Sequence, residues 1–289
     1  MKIAVLSGKG GTGKTLVSVN LASASKASTY YIDCDVEEPN GHLFFKPINI
    51  TKEDVTVKVP FVDEKRCTGC CACVDFCAFN ALAYAGGKLK IFEDICHSCG
   101  GCLLVCPENA LAERDRVIGT IQKGDSGNVY VHSGFLNPGE PSGTTIINRL
   151  IHENNRKRIS QTFIDCPPGS ACTVMDSIKD ADYCILVAEP TLFGAHNLEM
   201  VYELVELFDK PYGVVLNKCQ DGDNPSEAFC KEKGIDILGR IDYDKELGEL
   251  NSNGRIAARE SEKYKALFSA LLENVIKEAR HGTTVNPKR

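Results

Sequence analysis

Nine of the 15 cysteines in this chain lie close together, and most of them follow one spacing that occurs twice. Thiolates are soft ligands that bind zinc or iron–sulfur clusters. Regular spacing of this kind favours metal ligation over a disulfide framework, which a reducing compartment does not sustain. The two runs consist of Cys67, Cys70, Cys73 and Cys77, and of Cys96, Cys99, Cys102 and Cys106.

Each run has the pattern Cys-x2-Cys-x2-Cys-x3-Cys, in which three near cysteines hold one 4Fe–4S cluster and the fourth serves the other. The pattern therefore predicts two ligand sets. Paired zinc sites are the alternative, but they usually separate two cysteine pairs by a longer gap. We expect Cys71 to be a packed spare thiol. Cluster 1 is assigned Cys67, Cys70, Cys73 and Cys106, and cluster 2 is assigned Cys77, Cys96, Cys99 and Cys102.

A second motif, near the N-terminus, predicts phosphate binding. Gly8-x-x-x-x-Gly13-Lys14-Thr15 follows a short apolar strand and precedes an apolar helical pattern, as a phosphate loop requires. Backbone N–H groups of such a loop surround phosphate oxygens, the lysine neutralises the β- and γ-phosphates, and the Thr15 hydroxyl can bind Mg²⁺. The predicted ATP-binding residues of the loop are Gly8, Lys9, Gly10, Gly11, Thr12, Gly13, Lys14 and Thr15.

Alternating strand and helix patterns surround both motifs and predict an α/β fold with a doubly wound, mainly parallel sheet. The cysteine-rich stretch interrupts this rhythm, so we expect a phosphate-loop domain at 1–60 and 116–289 and an inserted small α+β domain at 61–115. The polar tail after Arg280 is predicted to be mobile. Predicted strands are Lys2–Ser7, Thr29–Asp33, Val129–His132, Thr162–Asp165, Tyr183–Val187, Tyr212–Leu216 and Ile237–Ile241. Predicted helices run from the phosphate loop to about Lys26 and over Gly143–Asn155, Gly194–Phe208, Ser226–Lys233 and Glu260–Arg280.

Composition excludes several classes of protein. A formal net charge of −6 and a pI near 5.6 argue against a nucleic-acid-binding domain, which is usually basic. No apolar run is long enough for a transmembrane helix or a signal-peptide core, so we expect a cytoplasmic protein without stable membrane insertion. An apolar stripe on the last helix, including Tyr264 and Leu271, is expected to be core rather than a lipid anchor.

The loop Gly8-Lys-Gly-Gly-Thr-Gly-Lys14-Thr15, with its extra Lys9, resembles the deviant Walker A ATPases of the MinD/ParA/Mrp superfamily. Over essentially its full length, the chain is similar to members of this superfamily that carry an inserted bacterial-type ferredoxin domain. The resemblance implies ATP and Mg²⁺ as cofactors, a homodimer or a heterodimer with a related ATPase, and a redox or metallocofactor protein as partner.

The same resemblance implies roles for residues at strand ends. Lys9 would reach across a dimer to the partner's phosphates and, with Lys14 and Asp35, would be catalytic. Thr15, Asp33 and Asp165 would lie at Mg²⁺, while Asp35 would orient the attacking water. The Gly169 N–H would sense the γ-phosphate and Asn217 would contact the base. Taken singly, Lys9 could be a surface lysine, and the acids and the asparagine could be turn or cap residues.

Three functions are compatible with these motifs. The first is an ATPase in which a nucleotide-dependent dimer cycle gates electron transfer through two 4Fe–4S clusters. The second is an iron–sulfur or metallocofactor carrier, and the third is a redox-sensing positioning ATPase. Cys172 could hold a cluster between subunits, as in relatives of the nitrogenase iron protein, but 116–164 offers no second cysteine. The Gly/Pro-rich stretch Gly134–Gly143 is either a partner surface near the clusters or a simple connector.

Overall fold

The computed structural model of the chain describes residues 1–152 and 159–285. Its strands are β1 (Lys2–Leu6), β2 (Thr29–Asp33), β3 (Ile48–Val62), β4 (Leu82–Ala85), β5 (Lys88–Ile91), β6 (Leu111–Ser126), β7 (Val129–Leu136), β8 (Gln161–Asp165), β9 (Tyr183–Ala188), β10 (Tyr212–Cys219) and β11 (Ile237–Asp242). Its helices are α1 (Lys14–Ala24), α2 (Gly41–Phe45), α3 (Ala72–Phe76), α4 (Gly101–Leu104), α5 (Thr144–His152), α6 (Cys172–Ile178), α7 (Leu192–Leu207), α8 (Pro225–Lys233), α9 (Lys245–Ser252), α10 (Ala257–Glu260) and α11 (Glu262–Val285), with a 3₁₀ helix at Glu93–Ile95.

One large sheet organises the molecule. Within the described residues it has nine strands, in the order β11-β10-β9-β1-β8-β2-β7-β6-β3. The strands from β11 to β7 are parallel, whereas β6 and β3 are antiparallel additions at one edge. The predicted doubly wound, mainly parallel α/β fold is therefore confirmed.

Two apolar cores lie on opposite faces of this sheet, because successive strand residues point to opposite sides. Ile3 and Val5 of β1 face the core that includes α1 and α11, while Ala4 and Leu6 face the core under α5 to α8. The predicted C-terminal stripe is confirmed as core, since Tyr264 and its neighbours on α11 are buried in the first of these cores. No helix among the described residues is long and apolar enough to cross a membrane.

Most predicted element ends hold within a few residues, and the differences have local causes. The predicted helix at Glu260–Arg280 is two helices, because Ser261 between them is extended, with φ −146° and ψ 134°. Helix α11 continues to Val285, past its predicted end, and the remainder of the predicted tail lies outside the described residues. Helix α5 is described as far as His152. Residues 153–155 of the helix predicted at Gly143–Asn155 lie outside the described residues.

A long two-stranded ribbon, which sequence patterns did not predict, carries the cysteine-rich segment. Strands β3 and β6, of 15 and 16 residues, pair from Ile48 with Asp125 to Val62 with Leu111. Pro60 is tolerated within β3 because this strand lies at the sheet edge, where a missing N–H costs no pairing. Residues 63–110, which we call the cysteine-rich segment, extend from the tip of the ribbon and contain their own hairpin of β4 and β5.

Candidate functional site

The phosphate loop lies at the carboxyl end of β1, where the parallel strands place ligand sites in open α/β sheets. It borders a cavity of about 410 Å³. Asp35, from the end of β2, and Pro168, from the segment after β8, line the same cavity, so the predicted loop and both predicted acidic segments meet there. The loop residues that line it are Ser7, Lys9, Gly10, Gly11, Gly13, Lys14 and Thr15.

Asp165, at the end of β8, is the centre of the polar contacts around Lys14 and Thr15, two of the residues that line this cavity. Lys14 Nζ lies 2.6 Å from its Oδ1, and the Thr15 hydroxyl donates to its Oδ2 at 2.8 Å. Tyr31, which sequence reasoning missed, donates its phenolic hydrogen to the same Oδ2 at 2.8 Å. Lys14 and Asp165 are almost wholly buried, so the pair is shielded from solvent.

Two more carboxylates surround this pair. Asp35 Oδ2 lies 3.9 Å from Lys14 Nζ, and Asp33 accepts hydrogen bonds from the backbone N–H groups of Asp35 and Gly41. Burial, with the nearby charge of Asp165, raises the pKa of Asp33 to about 8 against the opposing pull of Lys14. Burial also raises the pKa of Asp35 to about 6, again against Lys14.

The site therefore has more negative than positive groups. Burial alone would lower the pKa of Lys14, but Asp165 and Asp35 outweigh it and the net shift is upward. Carboxylate and hydroxyl oxygens are the hard ligands that Mg²⁺ prefers, usually together with substrate phosphates and water. The donors present, from Thr15, Asp33 and Asp165, fit that ion, and its charge would balance the excess of carboxylates.

A second ionic group flanks the loop on the β9 side. Glu189, which follows β9, pairs with Lys9 Nζ at 2.9 Å and with Lys218 Nζ at 2.6 Å. Lys218 also donates to the carbonyl of Gly11 at 2.8 Å. Sequence reasoning missed both Glu189 and Lys218. Glu189 directly follows β9 and pairs with the selected Lys9, while Lys218 directly follows the selected Asn217 on β10. Lys9 is thus held within its own chain in this structure.

Asn217 and Gly169 also have partners in the chain. Asn217 is 1 % exposed, and its Nδ2 donates to the carbonyl of Thr12 at 2.8 Å. This hydrogen bond holds the phosphate loop to the end of β10. The N–H of Gly169 donates to the carbonyl of Ser7 at 2.9 Å. Contact of either residue with a nucleotide stays a prediction that would require these bonds to rearrange or be shared.

The cysteine-rich segment has two cavities, and each is lined by one complete predicted ligand set. The first contains Cys67, Cys70, Cys73 and Cys106, together with the spare Cys71. The second, of about 240 Å³, contains Cys77, Cys96, Cys99 and Cys102. In the described parts of the chain, no group of three or more His, Cys, Asp or Glu side chains is arranged around a single ion position.

The two cysteine runs share their backbone geometry as well as their spacing, with a constant offset of 29 residues. The N–H of Ala81 donates to Cys77 Sγ at 3.3 Å, and the N–H of Ala110 donates to Cys106 Sγ at 3.3 Å. Such bonds stabilise thiolate sulfur and tune cluster potentials. Left-handed residues recur at the same offset, in the pairs Gly69 and Ser98, Cys71 and Gly100, and Asn80 and Asn109.

The cysteines outside the two runs divide clearly. Cys34, Cys166, Cys184, Cys219 and Cys230 are buried, which confirms that they are small core residues. Cys172, at the start of α6, is exposed. Its suggested role in a cluster between subunits stays a prediction.

A glycine-rich loop between β1 and α1, a buried lysine at the helix start and acids on the adjacent strands together define a phosphate-loop nucleotide-binding protein. Residues 3–257 match the family described as the CobQ/CobB/MinD/ParA nucleotide binding domain. The chain belongs to that family.

Individual relatives agree with this assignment. An uncharacterized protein of Methanocaldococcus jannaschii is 31 % identical, covering 88 % of this chain and 90 % of that one. The iron-sulfur cluster carrier protein of Pyrococcus horikoshii is 24 % identical, covering 88 % and 77 %. A ferredoxin-type protein of M. jannaschii is 40 % identical over 63 residues, which is 22 % of this chain and 40 % of that one.

Among solved structures, the septum site-determining protein MinD of P. horikoshii, complexed with Mg-ADP, superposes with a TM-score of 0.60. The sequences are 19 % identical, and the match covers 97 % of this chain and 98 % of that one. At this identity the likeness shows the fold, which agrees with the parallel sheet described above.

Gly13 offers a test of the loop geometry. Its φ is 101°, and a Cβ there would lie 2.1 Å from Asn217 Nδ2. We expect Gly13→Ala to lower the free energy of unfolding by about 1–3 kcal/mol, because it combines left-handed strain with a clash. The measurement is anaerobic urea denaturation of the nucleotide-free protein.

The matched control is Gly10→Ala in the same loop. A Cβ at Gly10 would meet no atom within 4 Å, so its effect on stability should stay within about 0.5 kcal/mol. Equal stability of Gly13→Ala and Gly10→Ala would contradict the loop geometry described here.

Proposed function

We propose that this protein is a Mg²⁺-dependent ATPase that carries two 4Fe–4S clusters and couples its nucleotide cycle to electron transfer toward a redox protein. The observation that carries the proposal is the division of the cysteines: each of two cavities is lined by one complete ligand set. The phosphate loop of the same chain lines a third cavity together with Asp35.

At the nucleotide site, binding exchanges one set of charge contacts for another. In this structure, Lys14 Nζ pairs with Asp165 Oδ1 at 2.6 Å. Phosphate oxygens would draw Lys14 away from Asp165, and Thr15, Asp33 and Asp165 would hold Mg²⁺, which neutralises charge on the transferred phosphoryl group. Asp35, whose Oδ2 is 3.9 Å from Lys14 Nζ, would orient the attacking water.

At the cluster sites, the chain's contribution is to supply thiolates, protect them and set their electronic environment. When bound, the clusters supply one-electron transfer. The Ala81 and Ala110 N–H groups donate to one cysteine sulfur of each set, which lowers the negative charge that the sulfur presents. A stretch of similarity to a ferredoxin-type protein supports this assignment.

Coupling would require the nucleotide site to change shape between bound states. The cysteine-rich segment is inserted between Asp35 and Gly169, whose predicted roles are to orient the attacking water and to sense the γ-phosphate. In the proposed dimer, with a second copy or a related ATPase, Lys9 leaves Glu189 and reaches the partner's phosphates.

The role of Lys9 can be tested by analytical sedimentation. A non-hydrolysable ATP analogue should double the mass of the wild-type protein, and Lys9→Ala should abolish this doubling. An unchanged response of Lys9→Ala would argue against this role.

The assigned cluster ligands can be tested by iron content. Cys70→Ser removes a ligand of cluster 1, so about half of the iron should be lost from protein purified without oxygen. The matched control is Cys71→Gly at the adjacent position, whose repeat counterpart is Gly100 with φ 71°. It should keep full iron content. Equal iron in both variants would contradict the ligand assignment.

The coupling can be tested by electron transfer to a protein acceptor. We expect MgATP to change the rate at which dithionite-reduced protein reduces cytochrome c by about fivefold or more, because coupling energies commonly reach that size. Stopped-flow absorbance gives the rate. Equal rates with and without MgATP would contradict gated electron transfer.

Lys14→Gln is the companion variant for that experiment. It should lower ATP hydrolysis by about 100-fold or more, because it removes the buried charge that faces the phosphates. Its cluster absorbance should remain, since Lys14 lines neither of the two cysteine cavities. Its electron-transfer rate should no longer respond to MgATP.

A second candidate is an iron–sulfur cluster carrier, which the similarity to the P. horikoshii carrier protein favours. Eight cysteines in fixed sets argue for clusters that stay bound. The iron measurement separates the two functions: iron that passes to an apo-ferredoxin when MgATP is added supports a carrier, and iron that remains supports electron transfer.

A further inference from the structure

The loop between β7 and α5, residues 137–143, contacts both the nucleotide edge and the ribbon that carries the cysteines. We call it the bridging loop. Its first residue is fixed to β6, because the N–H of Asn137 donates to the carbonyl of Ile118 at 2.9 Å. The sequence left open whether this Gly/Pro-rich stretch is a surface or a connector.

On the nucleotide side, both ends of the bridging loop rest on Val36. This residue directly follows Asp35 and is 2 % exposed. The N–H of Leu136 donates to the Val36 carbonyl at 2.8 Å. At the other end, a Cβ on Gly143 would lie 2.3 Å from Val36 Cγ2, so the Gly143 backbone packs directly against the Val36 side chain. A shift of Asp35 therefore displaces a residue that packs on both ends of the loop.

On the cysteine side, the loop is joined to the ribbon by a two-pronged ion pair. Arg116 Nη1 and Nη2 lie 2.6 and 2.7 Å from the two carboxylate oxygens of Glu140. Their side chains are only 14 % and 9 % exposed. Such paired bonds fix the relative orientation of the two groups and are stronger than exposed pairs.

The same arginine approaches the segment that leads into a predicted ligand of cluster 2. Arg116 Nη1 lies 3.8 Å from Oδ1 of the exposed Asp94, in the 3₁₀ helix that immediately precedes Cys96. The N–H of Cys96 donates to the carbonyl of Glu93, and Arg114 pairs with the Glu93 side chain. The contacts are continuous from the residue beside Asp35 to a cysteine of the second set.

We propose that Glu140 and Arg116 are positioning residues that set the placement of the cluster 2 ligand segment according to the state of the nucleotide site. This inference rests on the proposed function, because it needs both a nucleotide and a cluster. Packed cores and close ion pairs tend to switch between discrete arrangements, so a displacement at Val36 is passed on rather than absorbed.

Thermodynamic linkage gives the proposal a measurable form. If the nucleotide changes the environment of cluster 2, then reduction of the cluster changes nucleotide affinity by the same factor. For a one-electron couple, a tenfold change in affinity corresponds to a shift of about 59 mV in midpoint potential. In the wild-type protein, the change in nucleotide affinity on reduction and the change in midpoint potential on nucleotide binding must agree. Both changes must disappear when the contacts through Val36 or Glu140 are removed.

The experiment uses the full chain purified without oxygen. The Kd of the Mg²⁺ complex of adenylyl imidodiphosphate is measured for oxidised and dithionite-reduced protein, and the midpoint potentials are measured with and without that nucleotide. The variants are Glu140→Gln, which removes the charge from the pair, and Val36→Ala, which loosens the contact without leaving a buried charge unpaired. Glu64→Gln is the control, since it removes an exposed pair with Lys88 in the cysteine-rich segment, and neither residue lines a cysteine cavity.

We expect the two Kd values to differ by about fivefold or more in wild-type and Glu64→Gln protein, and to become equal in Glu140→Gln and Val36→Ala. Full iron content and an unchanged Kd of oxidised Glu140→Gln protein would show that the site and the clusters are intact. A fivefold difference that survives in folded Glu140→Gln or Val36→Ala protein overturns the proposal.

Two wild-type results distinguish this inference from the proposed function. Protein that has both clusters and binds nucleotide, yet shows equal Kd values, overturns the inference while leaving the cofactors in place. Folded protein that has no iron overturns the proposed function and the inference together.

Discussion

One buried lysine faces three carboxylates at the carboxyl edge of the parallel strands, and this imbalance of charge governs the nucleotide site. Lys14 is bound to Asp165, while Asp33 and Asp35 remain close by with raised pKa values. The sheet makes the arrangement possible because β1, β8 and β2 are neighbours in register. Any ligand that brings phosphate and a divalent cation must redistribute these contacts.

The chain uses two different means to hold its two kinds of site. The nucleotide cavity is built from segments far apart in sequence that the sheet brings together. The cysteine cavities are built mainly from short runs, each completed by the last cysteine of the other run, and a repeated backbone geometry places the thiols. That geometry persists although Cys71 stands where the other run has Gly100.

This difference explains what the sequence could predict. The phosphate loop, the two cysteine sets and the α/β order follow from local spacing and periodicity, so they were accessible without coordinates. Tyr31, Glu189 and the pair of Arg116 with Glu140 were not, because their partners are set by strand order and by packing over long separations. The ribbon was missed although Val55, Val57 and Val59 alternate with polar residues. Its strands, of 15 and 16 residues, are much longer than the strands predicted elsewhere in the sequence.

The register of β3 and β6 has an evolutionary consequence. Val62 and Leu111 are direct cross-strand partners, and the N–H of Asp63 donates to the carbonyl of Ala110 at 2.8 Å. Facing residues of an antiparallel pair are about 5 Å apart, a gap that a tight turn can span. The chain therefore enters and leaves the cysteine-rich segment at one point, where a lineage could gain, lose or replace it without changing the path of the flanking strands.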